Sequence, residues 1–305
     1  MEKIEKLIRD FENTEYYGYI FSISYRGEMF DSFDENPGGK SVKSEFKKLL
    51  IKNGISIFKG IQQAGRTDKK VNGKGNALYI SCKDLIEFSE MKYRESEGIE
   101  IFNVEKTLPF LEFPSMIEKR HYIYEYPENM IKNKDEEIYK ICEEISGKRN
   151  FKEFTSKKGE KLKNHIRDIS VKYKNKKLYF EGDGFLPQQV RIMSNYILNG
   201  KKSPLEGEYL TLEKVEFSKE LSSLIFKNVK HADEIVIDRE NFSLEEAGES
   251  LKDVVKIEKN EYFNIFYVNF ENKGKFIGKK GKNIKKLKKI YGNIIIKSMR
   301  KEKWK

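Results

Sequence analysis

The chain has 305 residues, with 60 Lys and Arg against 49 Asp and Glu, for a formal net charge of +11. That length suits two domains, or one larger domain with an appendage. No apolar run approaches the roughly twenty residues that a membrane-spanning helix requires. The opening Met1-Glu2-Lys3-Ile4-Glu5-Lys6-Leu7-Ile8 mixes acids and bases as no secretory signal does. Cys82 and Cys142 are isolated, which excludes a disulfide framework and fits a reducing compartment. His121, His165 and His231 are scattered without ligand spacing, so no metal site is expected. These features describe a soluble, cytoplasmic protein.

In chain order, Val42 to Lys52 reads as the first clear helix. The run Ala64-Gly65-Arg66-Thr67-Asp68 then precedes an apolar alternation, Ala77-Leu78-Tyr79-Ile80, so a carboxylate stands on a Gly-initiated loop beside a strand. Taken alone, an Asp after Gly-Arg-Thr closes a turn or caps a helix. Further on, Lys119 to Tyr126 alternates with period two, placing Arg120, Tyr122, Tyr124 and Tyr126 on one face and His121, Ile123 and Glu125 on the other. Ile131 to Ser146 reads as a second helix. A third follows from Gly184-Phe185-Leu186-Pro187, with Pro187 suited to the first turn and an apolar stripe of Leu186, Val190, Met193 and Ile197. Arg191 falls nearly opposite that stripe, where a helical wheel makes it a solvated charge.

The positive charge is concentrated at one end. Residues 273–305 carry 14 Lys and Arg against the single acid Glu302, whereas residues 1–272 are close to neutral, with 46 bases and 48 acids. Such density attracts a polyanion by counterion release. The segment also carries a folding pattern: a strand at Phe263 to Phe270, then Gly274 to Ile284. A helix with Ile284, Leu287 and Ile290 on one face follows, Gly292 ends it, and Ile294-Ile295-Ile296 forms a last strand. Ser243 to Lys252 reads as a preceding helix and Val254 to Glu258 as a strand; a short strand is also expected at Glu234 to Asp238.

Two resemblances follow from these residues. The loop Gly278-Lys279-Lys280-Gly281-Lys282, set between two helices and two strands, resembles the GXXG loop of KH domains in the bacterial type II arrangement. Such a loop clamps about four nucleotides through their backbone. Over roughly residues 17 to 218 the chain resembles the TruA-type tRNA pseudouridine synthases. Gly65 to Asp68 matches the family's Gly-Arg-Thr-Asp loop, and Arg120, Tyr122 and Tyr124 its Arg-x-Tyr-x-Tyr strand. Phe185, Leu186, Gln189, Val190 and Arg191 match its Phe-Leu-x-x-Gln-Val-Arg helix. Weaker echoes are Tyr25-Arg26-Gly27, Phe151 to Thr155, His165 to Ile169 and Ser203 to Leu210. The chain departs from the pattern at Lys69-Lys70-Val71-Asn72-Gly73, where the family reads Ala-Gly-Val-His-Ala. It departs again at Ser32-Phe33-Asp34, where the family has Gly-Trp-Gln.

The resemblance implies an α+β body of two similar halves, with mainly antiparallel sheets flanking a catalytic cleft. The halves would be about 1–108 and 109–218, with a connector at 219–241 and a small KH-like domain at 242–305. It implies an isomerase that converts specific uridines in RNA to pseudouridine, most typically in the tRNA anticodon arm. Asp68 would be the nucleophile or base that attacks ribose or base or removes a ribose proton. Arg191 would be its partner, and Tyr122 the ring stacked on the uracil. Gly65, Arg120 and Phe185 would shape the cleft. Arg66, Lys69, Lys70, Gly278, Lys279, Lys280, Gly281 and Lys282 would meet RNA. No cofactor is implied, no membrane partner, and the family is typically a homodimer. Two alternatives stand beside this one: a degenerate relative acting only as an RNA-binding or chaperone factor, and a synthase acting on ribosomal or other RNA.

Overall fold

The computed structural model describes residues 6–8, 11, 14–229, 251, 253–260 and 262–299. They form two compact units. One comprises Tyr19–Val104 and Glu112–Ser218; the other comprises Met1–Gly18, Glu105–Leu111 and Lys219–Lys305. The C-terminal segment therefore shares its unit with two stretches from much earlier in the chain. The helix expected over Ser243 to Lys252, Leu251 apart, and the strand expected at Glu234 to Asp238 lie outside the described residues.

The larger unit is α+β. Its strands in chain order are β1 (Tyr17–Tyr25), β2 (Ile57–Gln63), β3 (Asn72–Cys82), β4 (Glu95–Ser96), β5 (Ile99–Thr107), β6 (Ile117–Tyr124), β7 (Gly147–Asn150), β8 (Ile166–Lys174), β9 (Lys177–Gly182) and β10 (Leu210–Phe217). They form one sheet in the order β4-β5-β1-β3-β10-β6-β9-β8-β7, with β2 paired to β3. The two expected halves are thus joined edge to edge: β3 and β10 pair in parallel through Thr211 with Asn72 and Leu212 with Gly73. The pairs around the site, β6–β10, β6–β9, β8–β9 and β2–β3, are antiparallel.

Helix α1 (Val42–Lys52) starts where sequence placed it, because Ser41 and Ser44 exchange side-chain-to-backbone hydrogen bonds of 3.0 Å in a capping box. Helix α2 (Asp135–Ile145) begins four residues later than expected, with Asp135, Glu136 and Glu137 in its first turn, where the helix dipole favours acids. Helix α3 (Gln189–Asn199) also begins later than Pro187, because Gln188 sits in the left-handed region at φ 61°. The Pro187 carbonyl is held by the Thr155 hydroxyl at 2.8 Å, which fixes the chain in that bend. The core of this region runs from Tyr122, Tyr124 and Phe180 of the sheet to Val190, Met193 and Ile197 of α3. The stripe read from the sequence is buried, but so are Gln189, Ile192, Ser194, Asn195 and Leu198, so α3 is covered on most of its circumference and not along one face.

The smaller unit contains α4 (Lys219–Ser223), β11 (Lys227–Val229), β12 (Val254–Lys259), β13 (Asn264–Asn269), α5 (Lys273–Ile277), α6 (Lys282–Tyr291) and β14 (Ile294–Met299). Strands β13 and β14 lie parallel, with Asn264 opposite Ile294. The two helices and the Gly278–Gly281 turn connect them over a core of Val254, Phe266, Phe276 and Leu287. Buried charge ties the early segments in. The Lys106 ammonium lies 3.2 Å from the Glu258 carboxylate and also meets the Tyr267 hydroxyl, which donates to Glu258 at 3.0 Å. Lys256 approaches the same carboxylate at 3.3 Å. Lys297, also buried, donates to the carbonyls of Phe11 and Thr14. Among the described residues no helix is long and apolar enough to cross a membrane.

Candidate active site

The Gly65–Asp68 loop leaves β2 and is gripped from beneath by Asn76 of β3. The Asn76 amide accepts from Gly65 N–H at 3.2 Å and donates to the Gly65 carbonyl at 2.8 Å, and its side chain is almost wholly buried. It also donates to the Tyr25 hydroxyl at 3.3 Å, which in turn meets the Thr67 hydroxyl at 2.9 Å. Burial pushes the Tyr25 phenol up to about 12, although the Thr67 and Asn76 contacts oppose that rise. Gly65 is closely packed: a Cβ there would stand 3.1 Å from Leu212 Cδ2, so the leucine would have to shift by a few tenths of an ångström, with Asn76 and the Tyr122 hydroxyl in ordinary contact. Gly73 is pressed against the Tyr25 ring in the same way, at 2.4 Å for a built Cβ. The Val71 N–H donates to the Asp68 carbonyl at 3.2 Å and closes the turn.

Three further elements surround Asp68. Arg191 projects from the first turn of α3, donates through Nε to the Leu205 carbonyl, and reaches Asp68 Oδ2 through Nη1 at 3.3 Å. The solvated position expected from the helical wheel is corrected here: the Arg191 side chain retains only 16% of its exposure, because the 203–205 segment and the Asp68 loop close over it. Asp68 keeps 34%, so its carboxylate remains accessible.

Tyr122 projects from β6, where it pairs with Leu212 on one side and Phe180 on the other. Its ring meets Phe185 edge-on, with centroids 5.3 Å apart and planes at 86°. Burial raises its pKa, and the neighbouring Tyr25 and Asp68 add to the rise against Arg120. Arg120 spends its guanidinium on carbonyls, donating to Ala64 at 2.9 Å and also to Asp183, so it braces the two loops that flank the cleft. Burial lowers its pKa.

Asp68, Arg191, Tyr122, Arg120 and Phe185 line one cavity of about 810 Å³. That lies within the range of roughly 300–1,000 Å³ for small-molecule sites. The cavity also takes in Arg66, Lys158 and Arg167. Asn76, Lys158 and Arg167 carry no sequence signature of their own, except that Arg167 falls inside the His165 to Ile169 echo. Lys69 and Lys70 are outside the lining and pair with Asp31 at 3.2 Å and Glu208 at 3.4 Å; Arg66 pairs with Asp34 at 2.8 Å.

The remaining expected residues belong to the smaller unit. Gly278, Lys280 and Gly281 all adopt positive φ (75°, 55° and 71°), making a tight turn closed by Gly281 N–H to the Gly278 carbonyl at 2.9 Å. A Cβ on Gly278 would lie 2.8 Å from the Asn283 side chain, which donates to the Lys275 carbonyl. Lys279, Lys280 and Lys282 point to solvent, as do Lys285, Lys286, Lys288 and Lys289 of α6. Among the described residues no group of His, Cys, Asp and Glu is arranged to hold a metal ion.

The chain is 28% identical to tRNA pseudouridine synthase A of Streptococcus uberis over 230 residues, covering 64% of this chain and 89% of that one. The chain is similar to tRNA pseudouridine synthase A. The enzyme of that name from Streptococcus pyogenes serotype M49 is 29% identical over 211 residues, covering 59% and 82% of the two chains. The enzyme from Streptococcus suis strain 05ZYH33 is 26% identical over 208 residues, with the same coverage. No protein-family profile matches the chain. A solved Cbf5-Nop10-Gar1 complex overlaps 61% of this chain at 12% identity and a TM-score of 0.31; this chain spans about half, 48%, of that one.

Proposed function

We propose that the Asp68 cleft isomerises uridine to pseudouridine within RNA, and that its substrate is a tRNA modified in the anticodon arm. The chain is an enzyme, an isomerase of the pseudouridine synthase kind, as its similarity to tRNA pseudouridine synthase A over about two thirds of its length supports. The observation that carries the site assignment is the pairing of Asp68 with Arg191 in a cavity floored by Tyr122 and Phe185.

The reaction breaks the bond from ribose to the base nitrogen, turns the base and rejoins it through carbon. Asp68 starts it, as nucleophile or base. Arg191, held by the Leu205 carbonyl, aims the carboxylate with a charge-assisted bond. The target base leaves its stack to reach the cavity, at a cost of a few kcal/mol. Tyr122 receives the uracil, and its neutral phenol suits stacking and hydrogen bonding. Arg66, Lys69 and Lys70 meet the backbone around the flipped nucleotide.

The smaller unit is a KH-like RNA module, supported by the parallel β13–β14 pair spanned by two helices and the Gly278–Gly281 turn. It adds a backbone clamp to the cleft's own contacts. A homodimer completes this reading. The test is site mapping of pseudouridine in RNA from cells with and without the gene, alongside turnover of an unmodified tRNA transcript by the purified protein. Pseudouridine absent from the transcript while RNA binding persists would favour a degenerate binding factor; a missing site in ribosomal RNA alone would move the substrate there.

A further inference from the structure

Arg66 and Lys69, the cations that flank Thr67 and Asp68, are each neutralised by a carboxylate from a single loop. Asp34 receives Arg66 Nε on Oδ2 at 2.8 Å, while its Oδ1 is held by Lys43 of α1 at 2.9 Å. Asp31 repeats the design: Oδ1 receives Lys69 at 3.2 Å and Oδ2 accepts the Lys40 backbone N–H at 3.2 Å. Each carboxylate thus has one oxygen anchored to the 31–43 segment and presents the other to the catalytic loop. The segment is itself fixed, by Asp31 N–H to the Lys40 carbonyl at 2.8 Å and Val42 N–H to the Ser32 carbonyl at 3.1 Å. The Lys69 and Lys40 contacts hold the Asp31 carboxyl below its usual range.

We propose that Asp31 and Asp34 are specificity-determining carboxylates, occupying the phosphate-binding positions of Lys69 and Arg66 until a correctly shaped RNA backbone displaces them. The proposal rests on the synthase reading of the Asp68 cleft. Its physics is a competition. Exposed ion pairs are worth roughly 0–1 kcal/mol, so they yield to a phosphate that arrives in place. A guanidinium gains a bidentate partner in that exchange. An unstructured strand must order its backbone to present the same phosphates, and the tethered carboxylates then compete on better terms. Discrimination of this kind comes from an element that opposes the wrong partner.

The test uses the full chain and two probes, oligouridylate and an unmodified tRNA transcript, each titrated across a salt series. In the Asp31→Asn/Asp34→Asn variant, oligouridylate affinity at low salt is expected to rise about tenfold. Its salt slope should steepen by about 1.4, as for two further phosphate contacts on a single strand. The tRNA should gain less, so the ratio between the probes narrows. Asp34→Glu keeps the charge and should keep the ratio. Asp31→Asn alone guards against a loosened loop: Asp31 is exposed, and the asparagine carbonyl can still accept the Lys40 N–H, so about half the effect should appear in an intact fold. An unchanged ratio and slope, or weaker binding of both probes, overturns the inference and leaves the carboxylates as loop braces. Failure of the wild-type protein to form pseudouridine in the same transcript would instead overturn the synthase reading, whatever the binding ratio.

Discussion

Arg191 Nη1 stands 3.3 Å from Asp68 Oδ2 although 123 residues separate them in the chain. The pair spans the parallel β3–β10 junction, so the carboxylate comes from one half of the sheet and its cation from the other. On the proposed mechanism Asp68→Ala removes the carboxylate that starts the reaction, and it is expected to reduce pseudouridine formation by about a thousandfold or more. RNA affinity should stay within a few fold, since binding rests on many phosphate contacts. Single-turnover assays beside binding titrations separate the two. Substantial turnover by the alanine variant would remove Asp68 from its role.

Asn76 holds the Gly65 backbone by both donor and acceptor and also reaches Tyr25. Asn76→Ala strands buried partners on the loop, so a loss of about 2–3 kcal/mol in stability is expected. The positioning role predicts more than that: kcat should fall at temperatures where the variant is fully folded, with KM little changed. Normal kcat in the folded variant would make Asn76 a purely structural residue.

Tyr25 is pushed up to about 12 by burial, and Tyr122 is raised in the same direction. Below the ordinary phenol value of about 10, both the folded and the unfolded chain keep these protons, and the stability they confer is fully present. Between about pH 10 and 12 the unfolded chain releases a proton that folded Tyr25 retains, so stability falls by about 1.4 kcal/mol per pH unit for that group. Denaturant melts through this window should show a shallower fall for Tyr25→Phe than for the wild type. Parallel curves would mean that Tyr25 titrates normally.

Lys279→Asp/Lys280→Asp places two carboxylates at the tip of the Gly278–Gly281 turn without touching the buried Phe276 and Leu287. RNA binding should weaken strongly and lose about 1.4 in salt slope for the two contacts removed on a single strand. Turnover at saturating RNA should persist, because Asp68 lies in the other unit. Retained affinity and slope would make the turn a protein-docking or structural element.

Lys106→Met leaves the Glu258 carboxylate buried with Lys256 and Tyr267 as its remaining close partners. Removing one member of a buried pair costs about 3–5 kcal/mol where the other charge is left uncompensated, and the remaining Lys256 contact should hold the loss below that. Thermal unfolding followed by hydrogen exchange should show the loss in β12 and β13, and full protection of those strands in the variant would contradict it.

Much of this architecture is legible because local pattern and packing agree. Val42–Lys52 carries its own capping box, and the alternation through Arg120, Tyr122 and Tyr124 places both tyrosines in the core of β6, with Arg120 half-buried beside them. A helical wheel makes Arg191 solvated because it sees one helix, whereas Leu205 and the Asp68 loop cover it from elsewhere in the chain. Asn76 escaped notice for a similar reason. An Asn between Gly75 and Ala77 has no local signature, and its grip on the backbone exists only once β3 lies under the Gly65–Asp68 loop. The carboxylates on Arg66 and Lys69 come from residues 31 and 34, a tertiary pairing that charge counting cannot resolve.

The partnership of Lys297 with the Phe11 and Thr14 carbonyls also imposes an order on synthesis. Phe11 and Lys106 leave the ribosome long before Glu258 and Lys297 exist, so a nascent chain lacks the Lys106–Glu258 ion pair and the Lys297 bonds until its last strands emerge. The sheet of Tyr19–Ser218 needs nothing beyond residue 218 for its strands to pair. A chain truncated before β12 therefore carries every residue lining the Asp68 cavity while losing the Lys106–Glu258 ion pair. Its Phe11 and Thr14 carbonyls lack the donor from Lys297 as well, so the bonds that join the first and last parts of the smaller unit form only when synthesis is complete.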